Sequence, residues 1–161
     1  LNTDSEKISD PSKPKWRIVM SIKPVPLIFK ELSEQKTHLQ KVKYLKENRN
    51  DMVDLLLELT FSKDIRITLP EGSPEYQKTG EVELYNATLL YANRRQIEMF
   101  INDNTAQIPE LKREQLFIDL LENLDPAESQ LLIEVKDKKL ESYPGITKKV
   151  IEKVYPDWNL L

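Results

Sequence analysis

From Ile22 onward, apolar residues recur at three- and four-residue intervals, which is the period of helices packed on one side. Pro24 and Pro26 precede Leu27, Ile28 and Leu32, and proline is accepted in a first helical turn. Thr37 with Gln40 is a capping-box signature ahead of Leu39, Val42 and Leu45. Asn50 can cap a helix through Met52, Val53, Leu55, Leu56, Leu57 and Leu59 to Phe61. That helix is apolar around most of its circumference, so it is expected at the centre. The pattern breaks from Lys63 to Gly80, where Ile65, Ile67 and Leu69 alternate as in a short extended piece and Pro70–Pro74 reads as a turn. A helix follows over Val82–Asn93, continuing over Arg94–Ile101 and ending at Asn102-Asp103-Asn104. Pro109 starts another, with Leu111, Leu116, Phe117, Leu120 and Leu121. Asp125-Pro126-Ala127-Glu128 is a strong helix start before Leu131, Leu132 and Val135. Tyr143-Pro144-Gly145 interrupts the chain, and Thr147–Val154 makes a last short helix.

The reading is an all-α, compact bundle of six to eight helices. Leu56, Leu59, Phe117, Leu120, Leu132 and Val150 are assigned to its core. Residues 1–19 form a polar tail or extension, and residues 20–161 a single helical domain. The tail carries Ser5, Ser9, Ser12, Pro11 and Pro14 with little apolar content, so it cannot offset its own ordering entropy. Met20-Ser21 reads as a start, which would make residues 1–19 an upstream extension. At 161 residues the chain is long enough for one core without staples.

Composition removes chemistry. Without cysteine there are no disulfides, thiolate metal sites or cysteine nucleophiles. One histidine, His38, leaves no multi-histidine metal site, and its place after Thr37 suits a surface residue. Walker, dinucleotide and nucleophile-elbow glycine patterns are missing. Glu81 with Glu83, and Glu110 with Glu114, are carboxylate pairs without histidine partners or a deduced pocket. No enzyme activity, cofactor, metal or small-molecule substrate is expected. No apolar run approaches the roughly 20 residues of a membrane span, so no membrane partner is expected either, and the default location is the cytoplasm.

Charge is uneven. The net charge is −3, yet residues 63–135 hold 7 basic against 14 acidic residues while residues 136–161 hold 6 against 4. Lys136, Lys138, Lys139, Lys148, Lys149 and Lys153 flank the turn at Gly145. Free backbone N–H groups entering a helix and ringed by lysines suit a phosphate; a solvated lysine-rich face is the plainer reading. Arg94-Arg95 can grip phosphate or balance a helix C-terminus. Tyr44, Tyr76, Tyr85 and Tyr91 are too scattered for a stacking platform, Trp16 lies outside the core, and Trp158 either caps the core or anchors a partner.

Three stretches carry a resemblance. They are Ile28-Phe29-Lys30-Glu31-Leu32 through Leu45-Lys46-Glu47-Asn48 and Asn50-Asp51 to Leu59-Thr60-Phe61-Ser62, the helix pair Glu114–Val135, and Gly145 followed eight residues later by Lys153-Val154-Tyr155-Pro156. Over Ile28–Pro156 the chain resembles the all-helical N-terminal DNA-binding domain of ATP-dependent DNA ligases from T-even-type phages, and a family of short uncharacterised phage proteins. The nucleotidyltransferase Lys-x-Asp-Gly motif is missing. The resemblance implies a non-catalytic phage accessory protein that binds duplex DNA, nicked duplex included, in replication or repair, within the infected bacterial host. By the same resemblance Gly145, Ile146, Thr147, Lys148, Lys149 and Lys153, with Lys138 and Lys139, would face phosphates, and Arg94 and Arg95 would add a secondary contact. The acidic middle supports the alternative: a protein-interaction or virion structural component, partnered by a phage replication or virion protein, that keeps the fold without binding DNA.

Overall fold

The computed structural model describes residues 23–78, 89–102 and 108–161. These form eight helices and no strand: α1 (Val25–Glu34), α2 (His38–Asn48), α3 (Asp51–Phe61), α4 (Leu89–Ala92), α5 (Arg94–Glu98), α6 (Glu110–Asn123), α7 (Pro126–Lys136) and α8 (Lys148–Val154). The tail, Trp16, Glu81, Glu83, Tyr85 and the 82–88 part of the expected helix lie outside the described residues.

Local chemistry sets the helix starts. Pro24 and Pro26 bracket the first residue of α1. Thr37 Oγ1 accepts the Gln40 N–H at 3.1 Å, and Asn50 Oδ1 accepts the Val53 N–H at 3.0 Å. At α7 the capping box closes, with the Ala127 N–H on Asp125 and the Asp125 N–H on Glu128.

All six residues assigned to the core are buried. The centre differs from the expectation in one respect: α3 shares it with α7. The two helices pack on each other, and α7 also meets α1 and α6. Two leucines turn outward against the periodicity, Leu39 at 78% exposure and Leu111 at 81%. Both sit in the first turn of their helix. Spacing reports which face a residue is on, but not where the covering neighbour ends.

Helix α7 looks half polar in sequence, yet Glu128, Ser129, Glu134 and Lys136 are all buried. Each ties down a different segment. Glu128 Oε2 accepts the Leu90 N–H at 2.8 Å and so docks the start of α4. Ser129 Oγ donates to the Leu121 carbonyl of α6 at 2.6 Å. Glu134 accepts the Ser142 N–H and hydroxyl and holds the turn before α8. Lys136 Nζ donates to the Pro70 and Gly72 carbonyls at 2.7 and 3.0 Å and to Asp137. Buried polar groups are tolerated because each has its partners. Burial pushes the Glu128 carboxyl above the usual carboxylate range, and the Leu90 and Asp125 N–H groups act against that shift.

The break after α3 is extended, as the alternation of Ile65, Ile67 and Leu69 suggests. Ile67 bridges Ile101, and the Thr68 N–H donates to the Phe100 carbonyl at 2.8 Å. At the other end of the chain, Leu160 bridges Ser62, so the C-terminal segment closes over the end of α3.

Candidate nucleic-acid interface

Helix α8 buries Val150, Ile151 and Val154 and packs on α2, which buries Val42 and Leu45. With those stripes inward, the outer surfaces of both helices are lysine-rich. Lys43 and Lys46 of α2 and Lys148, Lys149 and Lys153 of α8 are exposed. Among the described residues none of the five is held by a carboxylate. Across His38–Arg49 and Thr147–Val154 there are seven Lys and Arg against Glu47 and Glu152, in a chain of net charge −3.

The turn leading into α8 has a different job from the one its residue types suggest. The Gly145 N–H donates to Ser33 Oγ at 2.9 Å, and its carbonyl accepts Lys41 Nζ at 2.7 Å. A Cβ at this position would lie 2.1 Å from the Ser33 carbonyl oxygen. Gly145 is there because the backbone of α1 passes against it. Ile146 is buried, and its N–H donates to the Tyr143 carbonyl at 3.1 Å. Neither amide is free for a phosphate. Thr147 is exposed as the N-cap residue of α8.

Lys138 leaves the phosphate set for the same reason. Its ammonium donates to the carbonyls of Leu59, Ser62 and Ile65 at 2.7, 2.9 and 3.0 Å. These three bonds use every donor an ammonium has. Burial, aided by the positive charge of Arg66, pushes its pKa below the ordinary lysine value. Lys138 also takes the left-handed position after α7, at φ 57°. The Lys138 and Lys139 N–H groups return to the Val135 and Glu134 carbonyls, which is the Schellman pattern. Glycine is the ordinary residue there; lysine stands instead because its side chain reaches the end of α3.

Lys139 is exposed and pairs with Glu71 at 2.9 Å, which raises its pKa through that hydrogen bond. Arg94 pairs with Glu98 on its own helix at 3.1 Å, and Arg95 is exposed beside it. The structure packs α8, which exposes Lys148, Lys149 and Lys153, on α2, which exposes two lysines that were not singled out from the sequence. A signal for them existed, since Lys43 and Lys46 sit three apart on a helix whose buried positions are Val42 and Leu45.

Aromatic groups support this side from beneath. The Tyr155 and Trp158 rings stack at 3.8 Å, and the Arg49 guanidinium lies over Tyr155 at 4.6 Å. The Tyr155 hydroxyl donates to Asp54 at 2.5 Å, and the Tyr44 hydroxyl to Glu31 at 2.6 Å. Burial first, and then these carboxylates, raise both phenol pKa values. Trp158 therefore packs on the core side, through Tyr155. Among the described residues no helix is long and apolar enough to cross a membrane, and no cluster of His, Asp and Glu could hold a metal.

Comparison with known families gives one match: the model of a family of unknown function, DUF6433, covers residues 28–142. The chain belongs to that family. No curated protein and no solved structure matches it. In this DUF6433 chain the matched region runs from α1 through α7 and the Schellman turn, and so includes Lys43 and Lys46. It ends before Gly145 and α8, so Lys148, Lys149 and Lys153 lie beyond it.

Proposed function

We propose that this protein is a non-catalytic binder of the duplex DNA backbone, acting through the lysines that α2 and α8 expose side by side. The observation that carries the reading is the set Lys43, Lys46, Lys148, Lys149 and Lys153, exposed on two packed helices with no carboxylate holding them. Ammonium groups on a convex helical surface meet phosphates and read no base edges, so binding should be insensitive to sequence. The resemblance to the ligase DNA-binding domain gives the reading its finer form: a phage accessory protein of replication or repair that binds duplex DNA, nicked duplex included, in the infected host. The carry-over is narrower than the resemblance implies, because Gly145, Ile146 and Lys138 are committed inside the fold.

Fluorescence anisotropy with labelled nicked, intact and single-stranded DNA tests it. Affinity for duplex should fall steeply with salt, with each phosphate-bound lysine adding roughly 0.9 to the logarithmic slope. Lys148→Glu with Lys149→Glu should abolish binding without unfolding the protein. A preference for the nicked duplex would support the ligase-like form. No binding at low salt, or binding unchanged in the double variant, would refute the reading and favour a protein-interaction module on the same fold.

A further inference from the structure

A second basic feature lies away from α2 and α8. A cleft of about 770 Å³ opens between the extended segment Arg66–Glu71, the start of α6 and the end of α7. That volume is in the range of small-ligand sites. Some of its charges cancel internally: Lys136 is paired with Asp137 at 2.5 Å, and Glu71 with Lys139 at 2.9 Å.

The remaining charges are Arg66, Arg113 and Lys138 against Glu110. No carboxylate among the described residues pairs with any of the three cations. The bonds of Lys138 all go to neutral carbonyls. Arg113 Nη1 donates to the Thr68 carbonyl and hydroxyl at 3.4 and 3.2 Å, both neutral, while its Nε–H is buried and donates to no protein atom. The guanidinium of Arg66 is exposed and lies near enough to Lys138 to depress its ammonium pKa. Gathering three like charges around one cleft, one from each element that lines it, is unfavourable unless an anion answers them.

We propose that this cleft is a binding site for a phosphate-bearing dianion, gripped by the guanidinium groups of Arg66 and Arg113 within the field of Lys138. The three cations exceed Glu110 by two charges, which matches a phosphate monoester better than a single carboxylate. Guanidinium forks present paired donors to such oxygens. The site does not depend on the lysine face, since none of its residues lies on α2 or α8, and all of them fall within the family match.

Inorganic pyrophosphate is the probe, titrated into the full chain by calorimetry, with amide shifts recorded in parallel. Saturable binding should move the Arg66, Thr68, Leu69 and Arg113 amides. Arg66→Gln should weaken it by about tenfold, the loss of one charge-assisted bond. Lys36→Gln, at an exposed lysine outside both the cleft and the lysine face, should leave it unchanged. Because Arg113 also holds Thr68, Arg113→Gln can loosen the cleft; the exposed Arg66 therefore carries the test. No binding by wild type, or equal binding by Arg66→Gln, would overturn the proposal. A 5′-phosphorylated and a 5′-hydroxyl duplex then separate the two sources of the phosphate. An Arg66-dependent preference for the phosphorylated end supports the site as a reader of DNA ends, and pyrophosphate binding without that preference supports it as a small-ligand site. If Lys148→Glu/Lys149→Glu leaves DNA binding intact while Arg66→Gln weakens pyrophosphate binding as expected, the backbone reading fails and the cleft stands.

Discussion

Lys136 ends one helix and Lys138 follows its cap; Lys148, Lys149 and Lys153 make up much of the next. The residue type is the same and the chain between them is short, but their fates are opposite. The first pair is turned into the protein, where five backbone carbonyls receive the two ammonium groups. The second set points to solvent. The difference comes from what each helix end faces. Helix α3 finishes with carbonyls that have no partner within the helix, and such groups must be satisfied once buried. A lysine can do this at a distance because its long stem packs against apolar surface while its head supplies three donors. Helix α8 lies on α2, and its outer surface is exposed, with no buried helix end to satisfy.

The sharpest way to break this contrast is Lys138→Met, which keeps the stem and deletes the donors. It should cost about 3 kcal/mol in urea denaturation, since three carbonyls lose a charged partner. Lys138→Gly separates the two roles of the residue. It loses the same bonds but relieves the left-handed backbone at φ 57°, so it should be about 1 kcal/mol less damaging than the methionine variant. Equal stability of wild type and Lys138→Met would mean that the carbonyls find other partners and that the lysine is no strut.

Gly145→Ala probes the same boundary from the α8 side, with an expected loss of about 2 kcal/mol. The added methyl would have to clear the Ser33 carbonyl, 2.1 Å away, by moving α1 or the turn. An unchanged midpoint would show that the two backbones are not clamped. This glycine illustrates what was legible in the sequence and what was not. The caps at Thr37, Asn50 and Asp125 depend on residues three or fewer apart and could be read directly. So could the apolar faces that placed Leu56, Leu59 and Val150 inside. Apart from Asp137 beside Lys136, the groups that meet the Gly145 backbone and the Lys136 and Lys138 ammonium groups lie 64 to 112 residues away in the chain. No spacing rule reaches that far. A lysine beside a turn looks the same whether it will meet water, a phosphate or the end of another helix. The carboxylates of α7 were hidden in the same way, because Glu128 and Glu134 serve backbone amides of segments that their own helix does not predict.

A second contrast lies between the partly buried tyrosines and the same groups in the unfolded chain. Burial pushes the Tyr143 hydroxyl up to about 12, and Tyr44 and Tyr155 are raised as well. A raised phenol holds its proton longer in the folded state than in the unfolded one. Its contribution is therefore complete below the ordinary value of 10.0 and is lost as pH rises from there toward about 12. Over the first pH unit of that window Tyr143 alone should remove about 1 kcal/mol. Urea midpoints measured across the window, alongside ultraviolet tyrosinate absorbance, should fall together. Tyr143→Phe should flatten the slope. A midpoint constant through the window would mean that these hydroxyls reach solvent in the native state.

The smallest effect completes the comparison from the other side. Lys149→Met changes the same atoms as Lys138→Met, but at an exposed position with no bonded partner. Its stability should stay within about 0.5 kcal/mol of wild type. Its effect should appear in DNA binding instead, as a slope against salt reduced by roughly one phosphate contact and a loss of affinity that grows as salt is lowered. The two methionine variants thus form a crossed pair. One should damage the fold and spare the salt slope of the protein that remains folded; the other should spare the fold and lower the slope. If Lys149→Met leaves both unchanged, the exposed lysines do no more than keep α8 solvated. If it destabilises the protein as much as Lys138→Met does, the distinction between inward and outward lysines fails at its simplest point.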